Sequence, residues 1–370
     1  MKVDFVNFNY VDPEIKQEWR SAIADVIDSG VFIGGSHVSF FEHEMAKHLG
    51  VKNAIGISNG YDGLELALLA LGIGSEDYVA VPAHTFIATW NSIISVGATP
   101  VGIDVNLDGQ IDVDALKSAI ETKKISCVIP VHMHGHASQI SEIVALCKSN
   151  GVSVIEDASQ AHFAIENNRL VGTQSDIAVF SLYPTKNLGA LGDAGVLVTN
   201  SDALAEKVRS LSNYGSLTTD KYFHDRLGFN KRLDTMQAAI LNVNLRRIDS
   251  WNQKRRQLAV IYSTAFQKMG IKFIRGTQGS VWHHFCIFVE NRGKVRDYLH
   301  ENSIGTEIHY PQLAAHEAER FMGLKPNPYP TAERISNTTL SLPISQFHNS
   351  EMIEYVIDVM TRAQNIGIIQ

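Results

Sequence analysis

One lysine in this sequence has the surroundings expected of a reacting amine. Lys186 lies in the segment SLYPTKNLGALGDAG (residues 181–195), which follows one apolar run and precedes another. Proline before the lysine and glycines after it allow a tight backbone, so the side chain can point into a cleft. A partly buried lysine amine can attack an aldehyde and form a Schiff base. Most lysines are instead solvated surface charges, so the interpretation depends on further motifs.

Two further segments provide groups that such a lysine needs nearby. Residues 154–162, VIEDASQAH, have the pattern of a buried strand that ends in polar residues, with Asp157 at its carboxyl end. Open α/β sheets bind ligands at that end of their strands. Residues 58–62, SNGYD, precede an apolar helix predicted over 64–71. The amino end of a helix can hold a phosphate, although an ordinary capped turn has the same pattern.

Together these segments resemble the DegT/DnrJ/EryC1/StrS family of sugar aminotransferases, which depend on pyridoxal phosphate. A single motif of this kind is weak evidence, but the motifs occur here in the order of the family and span nearly the whole chain. They lie at residues 29–35 with 41–42, 58–62, 82–89, 156–162, 181–195, 228–239 and 309–311. The pattern is most similar to the aminotransferases that act on dTDP-linked 3-keto-6-deoxyhexoses.

The resemblance implies a site for pyridoxal 5'-phosphate. Lys186 is expected to be both its anchor and the catalytic acid and base, Asp157 to lie beside the pyridine nitrogen, and Gln160 to meet the ring hydroxyl. The other expected contacts are Gly60, Tyr61 and Ser181 at the phosphate, Phe86 on the ring face, and Asn230 from a neighbouring subunit. A homodimer with shared active sites follows from that last contact.

The resemblance also implies the substrates. L-glutamate is the expected amino donor, and a nucleotide-linked keto-sugar is the expected acceptor. Tyr214 favours a 3-keto over a 4-keto sugar, because the 4-keto subgroup more often has histidine at that position. A 4-keto-hexose aminotransferase and a non-catalytic protein of the same fold are the alternatives. The expected substrate-binding residues are Phe32, His162, Tyr183, Lys221, Arg226, His309 and Tyr310.

The expected site residues must be positioned by regular structural elements. Seven short runs rich in β-branched residues alternate with helical stretches along the chain. The runs are 54–58, 78–82, 99–103, 126–132, 152–157, 176–181 and 196–199. Such alternation predicts an α/β fold with a mainly parallel sheet. The resemblance implies fold type I of the pyridoxal-phosphate-dependent transferases, which is aspartate-aminotransferase-like. We expect an arm and large domain over residues 1–240, and a bridging helix and small α/β domain over 241–370. A long helix is predicted after Leu233, through Trp251 and Arg256.

Composition and charge argue against several other classes of protein. The 370 residues carry a net charge of -7 without a basic cluster, which predicts no binding to nucleic acid. No run of about 20 apolar residues predicts a membrane span, and the amino-terminal residues do not resemble a signal peptide, so a cytoplasmic location is expected. Residues 56–60 lack the GxGxxG spacing of a dinucleotide oxidoreductase.

Cysteines and histidines give no positive sign of a metal site. The three cysteines are too scattered for a disulfide framework or a zinc pair, and we predict that they are core thiols. His132, His134 and His136 alternate, which would place them on one side of an extended segment. Since no acidic or cysteine ligand accompanies them in the sequence, a structural role is favoured over a metal.

Overall fold

A seven-stranded sheet forms the centre of the protein. The computed structural model describes residues 1–216, 222–224 and 226–369. The sheet has the order β1-β9-β8-β5-β4-β2-β3, and within it only β9 runs antiparallel to its neighbours. Its strands are β1 (Asn53–Ile57), β2 (Tyr78–Pro82), β3 (Thr99–Ile103), β4 (Ile125–Val128), β5 (Ser153–Asp157), β8 (Ile177–Ser181) and β9 (Gly195–Thr199). The predicted α/β fold with a mainly parallel seven-stranded sheet is confirmed.

The helices of the first 250 residues surround this sheet. They are α1 (Pro13–Ser29), α2 (Gly35–Leu49), α3 (Gly60–Leu71), α4 (Ile87–Ser95), α5 (Val113–Thr122), α6 (Ile140–Ser149), α7 (Asp202–Ser212) and α8 (Thr235–Leu245). A small hairpin of β6 (Ile165–Glu166) and β7 (Arg169–Leu170) interrupts the alternation. Helix coverage explains why the strands read as continuous apolar runs rather than as alternating ones.

Helix α3 packs closely against the sheet at one glycine. A Cβ at Gly63 would lie 2.4 Å from Cδ1 of Ile57 and 2.6 Å from Cγ1 of Val179, so only glycine fits between helix and strands. The helix begins after Asn59, whose side chain accepts a hydrogen bond from the backbone of Asp62, and it ends at Gly72 in the left-handed conformation. The close contact at Gly63 and the cap at Asn59 together fix the position of the amino end of α3.

The long helix predicted after Leu233 is in fact two helices, α8 and α9 (Ile248–Met269), and that prediction was wrong. The break lies at Arg246 and Arg247, which donate to the carbonyls of Asn242 and Val243, four residues earlier. Both guanidinium groups also contact the carboxylate of Glu18 in α1. The last carbonyls of a helix have no backbone partner within it, and side chains can donate to them instead. Here the two arginine side chains take the place of the next turn of backbone hydrogen bonds, and α8 ends.

The last hundred residues build a second core around a two-stranded antiparallel sheet of β10 (Phe285–Phe288) and β11 (Thr339–Leu342). Its helices are α10 (Arg292–Glu301) and α13 (Ser350–Asn365), whereas α11 (Ala314–Phe321) and α12 (Pro330–Thr338) pack their buried residues in the core of the large sheet. Tyr262 and Phe266 of α9 pack in the second core, where Val3 from the amino-terminal segment also lies. The predicted boundary at residues 240–241 falls inside α8, and the division into two domains stays a prediction.

Two other predictions can be compared with the described part of the chain. Its three cysteines, Cys127, Cys147 and Cys286, are buried and unpaired, which confirms that they are core thiols. No helix in that part has the length and apolar character needed to span a bilayer.

Candidate active site

A cavity of about 570 Å³ lies at the carboxyl edge of the sheet. Its walls follow the ends of β1, β2, β5 and β8, which all run in the same direction and therefore end at the same edge. Residues from the second core complete it. Predicted site residues in the lining are Gly60, Tyr61, Phe86, Asp157, Gln160, Ser181, Tyr183, Lys186, His309 and Tyr310. Residues brought together here are thus up to 250 positions apart.

Lys186 enters this cavity from the loop between β8 and β9. The loop is a tight turn in which the backbone N–H of Lys186 donates to the carbonyl of Tyr183 at 2.9 Å. Burial lowers the pKa of the amine to about 8, and the nearby negative charge of Asp157 only partly opposes that effect. Roughly a tenth of the amine is therefore uncharged at pH 7, which is far more than for a solvated lysine, and the uncharged form is the nucleophile toward an aldehyde.

Asp157 is held rigidly at the end of β5. Its side chain is only 5% exposed. One carboxylate oxygen accepts a hydrogen bond of 3.0 Å from the hydroxyl of Thr89, and the other accepts one of 3.1 Å from the backbone of Ser159. Thr89 in turn contacts the hydroxyl of Thr85 at 3.0 Å. These contacts fix the plane of the carboxylate against the cavity.

Gln160 is oriented by a backbone group outside the cavity. Its Oε1 accepts a hydrogen bond of 2.7 Å from the backbone N–H of His134, so its Nε2 points to the hydroxyl of Tyr310 at 3.0 Å. Burial keeps the pKa of Tyr310 well above its ordinary value, and the phenol stays neutral. The ring of Phe86 lies 5.4 Å from that of Tyr310 and contributes an apolar wall.

The amino end of α3 forms the opposite wall and suits a phosphate. The N–H groups of the first turn of a helix have no partners within the helix, and Gly60 and Tyr61 occupy that turn here. Ser181 lies directly against it, since a Cβ at Gly60 would come within 2.7 Å of the Cβ of Ser181. Glycine thus leaves a cradle between backbone and hydroxyl, and the residues present fit pyridoxal phosphate.

The remaining predicted residues do not line this cavity. Phe32 is half exposed on the surface, and its carbonyl accepts from the backbone of Thr235. Asn230 is exposed, and its Oδ1 accepts a hydrogen bond of 3.1 Å from Arg232. Arg226 is also exposed. Lys221 lies outside the described residues.

His162 lies beneath the cavity rather than in its lining. Its buried Nε2 donates to the carbonyl of Ser181 at 2.8 Å, and burial lowers the pKa of the ring to about 3. The imidazole is therefore neutral and supports the end of β8 from below. His162 was predicted to line the pocket because it is close in sequence to Gln160. That reasoning did not include the hydrogen bond to the backbone carbonyl of Ser181.

The histidine series 132–136 is also arranged differently from the prediction. His134 has a φ of 60° inside a short 3-10 turn (Met133–Gly135), so the three rings do not share one side of an extended segment. His132 contacts the buried carboxylate of Glu156 at 3.0 Å, a partner that the local sequence does not show. Among the residues that the structure describes, no three or more histidine, cysteine or acidic side chains are grouped to hold a metal ion.

Several cavity residues were not predicted from sequence. Thr85 and Thr89 belong to the segment 82–89, where two hydroxyls one helical turn apart are a usable signal. Asp193 follows Lys186 in the same loop. His283 and His284 also line the cavity, and nothing in the local sequence singles them out. The ring of His284 stacks on that of His309 with the centroids 3.7 Å apart.

Comparison with known proteins agrees with this geometry. The pattern of the DegT/DnrJ/EryC1/StrS aminotransferase family matches residues 13–361. The chain is 38% identical to dTDP-3-amino-3,4,6-trideoxy-alpha-D-glucose transaminase of Streptomyces venezuelae, over 97% of this chain and 95% of that protein. It is 36% identical to dTDP-3-amino-3,6-dideoxy-alpha-D-galactopyranose transaminase of Aneurinibacillus thermoaerophilus, over 97% and 99% of the two chains. It is also 37% identical to the UDP-N-acetyl-3-dehydro-alpha-D-glucosamine 3-aminotransferase of Acidithiobacillus ferrooxidans, over 94% of both chains.

Solved structures show the same fold. DesV of Streptomyces venezuelae, in complex with a ketimine intermediate, superposes with a TM-score of 0.93 at 37% identity, over 98% of each chain. The Bacillus subtilis protein NtdA, with bound cofactor PMP, superposes with a TM-score of 0.87 at 28% identity, over 96% of this chain and 85% of that one.

Proposed function

Because the chain belongs to the DegT/DnrJ/EryC1/StrS family and is a pyridoxal-phosphate-dependent sugar aminotransferase, we propose a specific reaction for it. The enzyme transfers the amino group of L-glutamate to carbon 3 of a dTDP-linked 3-keto-6-deoxyhexose and forms a dTDP-3-amino-3,6-dideoxyhexose. The observation that supports this most strongly is the single cavity that joins Lys186, Asp157 and the amino end of α3.

Position 3 of the sugar is supported by the names of the relatives. Of the five proteins named above, the three compared by sequence have names that specify a 3-amino sugar or a 3-aminotransferase of a nucleotide-linked sugar. Two of those names specify dTDP and one specifies UDP. The proposal of dTDP follows the two relatives whose names specify deoxyhexoses.

Each side chain of the cavity has a separate role in the proposed reaction. Bound pyridoxal phosphate supplies electron withdrawal from the carbon that carries the amino group. Lys186 Nζ, uncharged in part at neutral pH, would accept the proton from that carbon and donate it to the carbon on the other side of the nitrogen. Asp157 presents a carboxylate of fixed orientation to the ring nitrogen, and Gly60 with Ser181 holds the phosphate.

Tyr183 and His309 are proposed to meet the sugar. Tyr183 is 51% exposed at the rim of the cavity, whereas His309 lies deeper and its Nδ1 contacts the hydroxyl of Ser341 at 2.9 Å. Burial and the nearby Lys186 lower the pKa of His309 to about 3. The neutral imidazole of His309 and the hydroxyl of Tyr183 can both form hydrogen bonds, which suits a hydroxylated and uncharged hexose.

A homodimer with shared sites is part of the same proposal. Val31, Phe32 and Ile33 are consecutive apolar residues, each about half exposed, and Phe40 is exposed nearby in sequence. Apolar surface of this kind is typical of protein interfaces. We assign Phe32 and Asn230, which lie outside the cavity of their own chain, to the cavity of a partner chain.

Substrate specificity is tested by supplying pyridoxal phosphate and L-glutamate with either a dTDP-3-keto- or a dTDP-4-keto-6-deoxyhexose. Amino-sugar and 2-oxoglutarate are then measured by mass spectrometry. We expect kcat/KM to be at least about tenfold higher for the 3-keto sugar, with no product from Lys186→Ala. A preference for the 4-keto sugar would overturn the assignment of the acceptor.

Shared sites are tested by mixing two variants that are each inactive, Lys186→Ala and Asn230→Ala. If Asn230 serves the partner's cavity, hybrid dimers contain one intact site, and activity returns after subunit exchange. Two copies of the same variant give no recovery and are the control. Absence of recovery, with exchange verified by a tag on one variant, would show that each chain completes its own site.

A further inference from the structure

Asn187, the residue after Lys186, is a fully buried amide with every polar atom in use. Its Nδ2 donates to Oδ1 of Asn252 at 3.0 Å and to the carbonyl of Val281 at 2.9 Å. Its Oδ1 lies 3.2 Å from Nδ1 of His283. Because both amide hydrogens are given to oxygen acceptors, Oδ1 is the acceptor for the proton on His283.

Asn252 extends these contacts from helix α9 to a second wall of the cavity. It is 2% exposed, and its Nδ2 donates to the carbonyl of His162 at 2.9 Å. His162 in turn donates to the carbonyl of Ser181 at 2.8 Å. The two asparagines therefore join the lysine loop to the end of β8, although Asn252 does not line the cavity.

A neighbouring residue of α9 holds the third wall. Arg255, only 1% exposed, donates from Nη1 to the carbonyls of Trp282, His283 and Ile344. Its Nε and Nη2 both donate to the side chain of Gln346. The backbone that carries His283 is thus fixed to the same helix as Asn252.

We propose that Asn187 and Asn252 are positioning residues that hold the backbone at Lys186, so that its amine stays withdrawn from water inside the cavity. Buried amides are costly unless all their groups are paired, and a fully paired network keeps one geometry. Here that network is centred one residue from the reacting amine and reaches three walls of its cavity. The proposal rests on Lys186 as the reacting amine, and it is independent of which sugar is the substrate.

The structure predicts the consequence of cutting this network. In Asn252→Leu, the side chain of Asn187 loses one hydrogen-bond acceptor, and the backbone carbonyl of His162 loses its hydrogen-bond donor. The leucine that replaces the asparagine is apolar and of similar size. The lysine loop is then free to shift outward, and water reaches the amine. The pKa of Lys186 is expected to rise from about 8 toward the 10.5 of a solvated lysine.

The experiment measures this amine without turnover. Full-length enzyme freed of cofactor is treated with pyridoxal and cyanoborohydride at a series of pH values. Labelling at Lys186 is followed by peptide mass spectrometry. We expect a midpoint near pH 8 for the wild type and a midpoint of about 9 or above for Asn252→Leu. Asn252→Ala removes the same two hydrogen bonds without adding a charge or bulk, so its midpoint is expected to rise as well.

Two variants of the same helix are the controls. Gln257→Leu makes the same change from amide to leucine at an exposed position. Leu258→Ala weakens the second core, to which Leu258 belongs, without touching the network. Both are expected to keep the wild-type midpoint, although Leu258→Ala lowers the unfolding temperature. An unchanged midpoint in folded Asn252→Leu would overturn the proposal, and if that variant does not fold, Asn252→Ala decides in the same way.

Discussion

The hydroxyl of Thr89 donates a hydrogen bond of 3.0 Å to Oδ2 of Asp157. Thr89 lies in α4 and is 1% exposed, so water has little access to replace this bond. A buried hydrogen bond to a charged group is worth about 1.5–3 kcal/mol. The orientation of the carboxylate that we propose for the ring nitrogen therefore depends on a residue from another element of the sheet edge.

Thr89→Val removes this hydrogen bond and keeps the shape of the side chain. We expect kcat to fall by about 10- to 100-fold, because the free-energy range above corresponds to that factor in rate. Steady-state kinetics with saturating substrates measure the effect. Thr89→Ser keeps the hydroxyl and is expected to stay within a few-fold of the wild type. Full activity of folded Thr89→Val would show that Ser159 alone orients Asp157.

The reaction of Lys186 with added cofactor is expected to depend on pH. With a pKa of about 8, the amine is mostly protonated below that pH and cannot attack an aldehyde. The rate at which cofactor-free enzyme gains visible absorbance with pyridoxal phosphate should rise about tenfold for each pH step of one below 8. Above pH 8 it should level off. Stopped-flow absorbance follows this rate.

A matched pair of variants tests the electrostatic cause of this pKa. Asp157 stabilises the protonated amine, so Asp157→Asn should shift the rate profile to lower pH. Asp193→Asn removes a carboxylate elsewhere in the same cavity, and we expect it to leave the profile in place. A profile that moves to higher pH in Asp157→Asn would contradict the conclusion that Asp157 raises the pKa of Lys186.

Gly60→Ala is expected to damage the phosphate cradle. The added Cβ would lie 2.7 Å from the Cβ of Ser181, so the amino end of α3 must move away from β8. We expect the Kd for pyridoxal phosphate to rise by at least about tenfold, and stability to fall by about 1–3 kcal/mol. Absorbance titration and thermal unfolding measure the two effects.

Gly74→Ala is the control for that change. A Cβ at Gly74 has no neighbour within 4 Å, and its backbone is not in the left-handed region. Cofactor affinity and unfolding temperature should match the wild type within error. If Gly60→Ala binds the cofactor equally well, the phosphate does not lie at the amino end of α3.

Buried histidines are expected to make the fold sensitive to acid. Burial lowers the pKa of His136 to about 3, and both of its ring nitrogens are buried without a hydrogen-bond partner. The unfolded ring titrates near 6.5, so between those values the unfolded state binds more protons. Stability therefore falls as the pH drops below about 6.5, by about 3 kcal/mol from this one residue at about pH 4.5.

His136→Leu removes that proton linkage. Urea unfolding at about pH 7 and about pH 4.5 should show a smaller acid loss in this variant than in the wild type, by about 3 kcal/mol. His43→Leu, at a histidine whose side chain is 73% exposed, is the matched control and should lose as much as the wild type. Equal acid losses in all three proteins would exclude His136 as a contributor.

Features that depend on local pattern could be predicted well. The seven strands follow from short β-branched runs, and the loop that carries Lys186 follows from proline and glycine beside it. The meeting of Asp157, Gly60 and Lys186 could also be predicted, because the carboxyl ends of parallel strands share one edge of the sheet. These relations need only the order of elements along the chain.

Two of the predictions that failed did so because of contacts with groups from other elements. Helix α8 ends at Leu245, where Glu18, more than 220 residues earlier, contacts the guanidinium groups of the two arginines that follow. His162 lies below the cavity because the carbonyl of Ser181 accepts its proton. No periodicity of the local sequence contains information about such partners.

The sequence by itself determined the element order, the sheet and the place of Lys186 at the strand ends, because strand and turn patterns are local and a parallel sheet aligns its strand ends. Only the tertiary structure decided what surrounds those groups. Asn187 meets Asn252 across 65 residues of sequence and His283 across 96. Such contacts depend on how α9 and the second core pack against the sheet. Many sequences with the same local pattern could pack these elements in a different way.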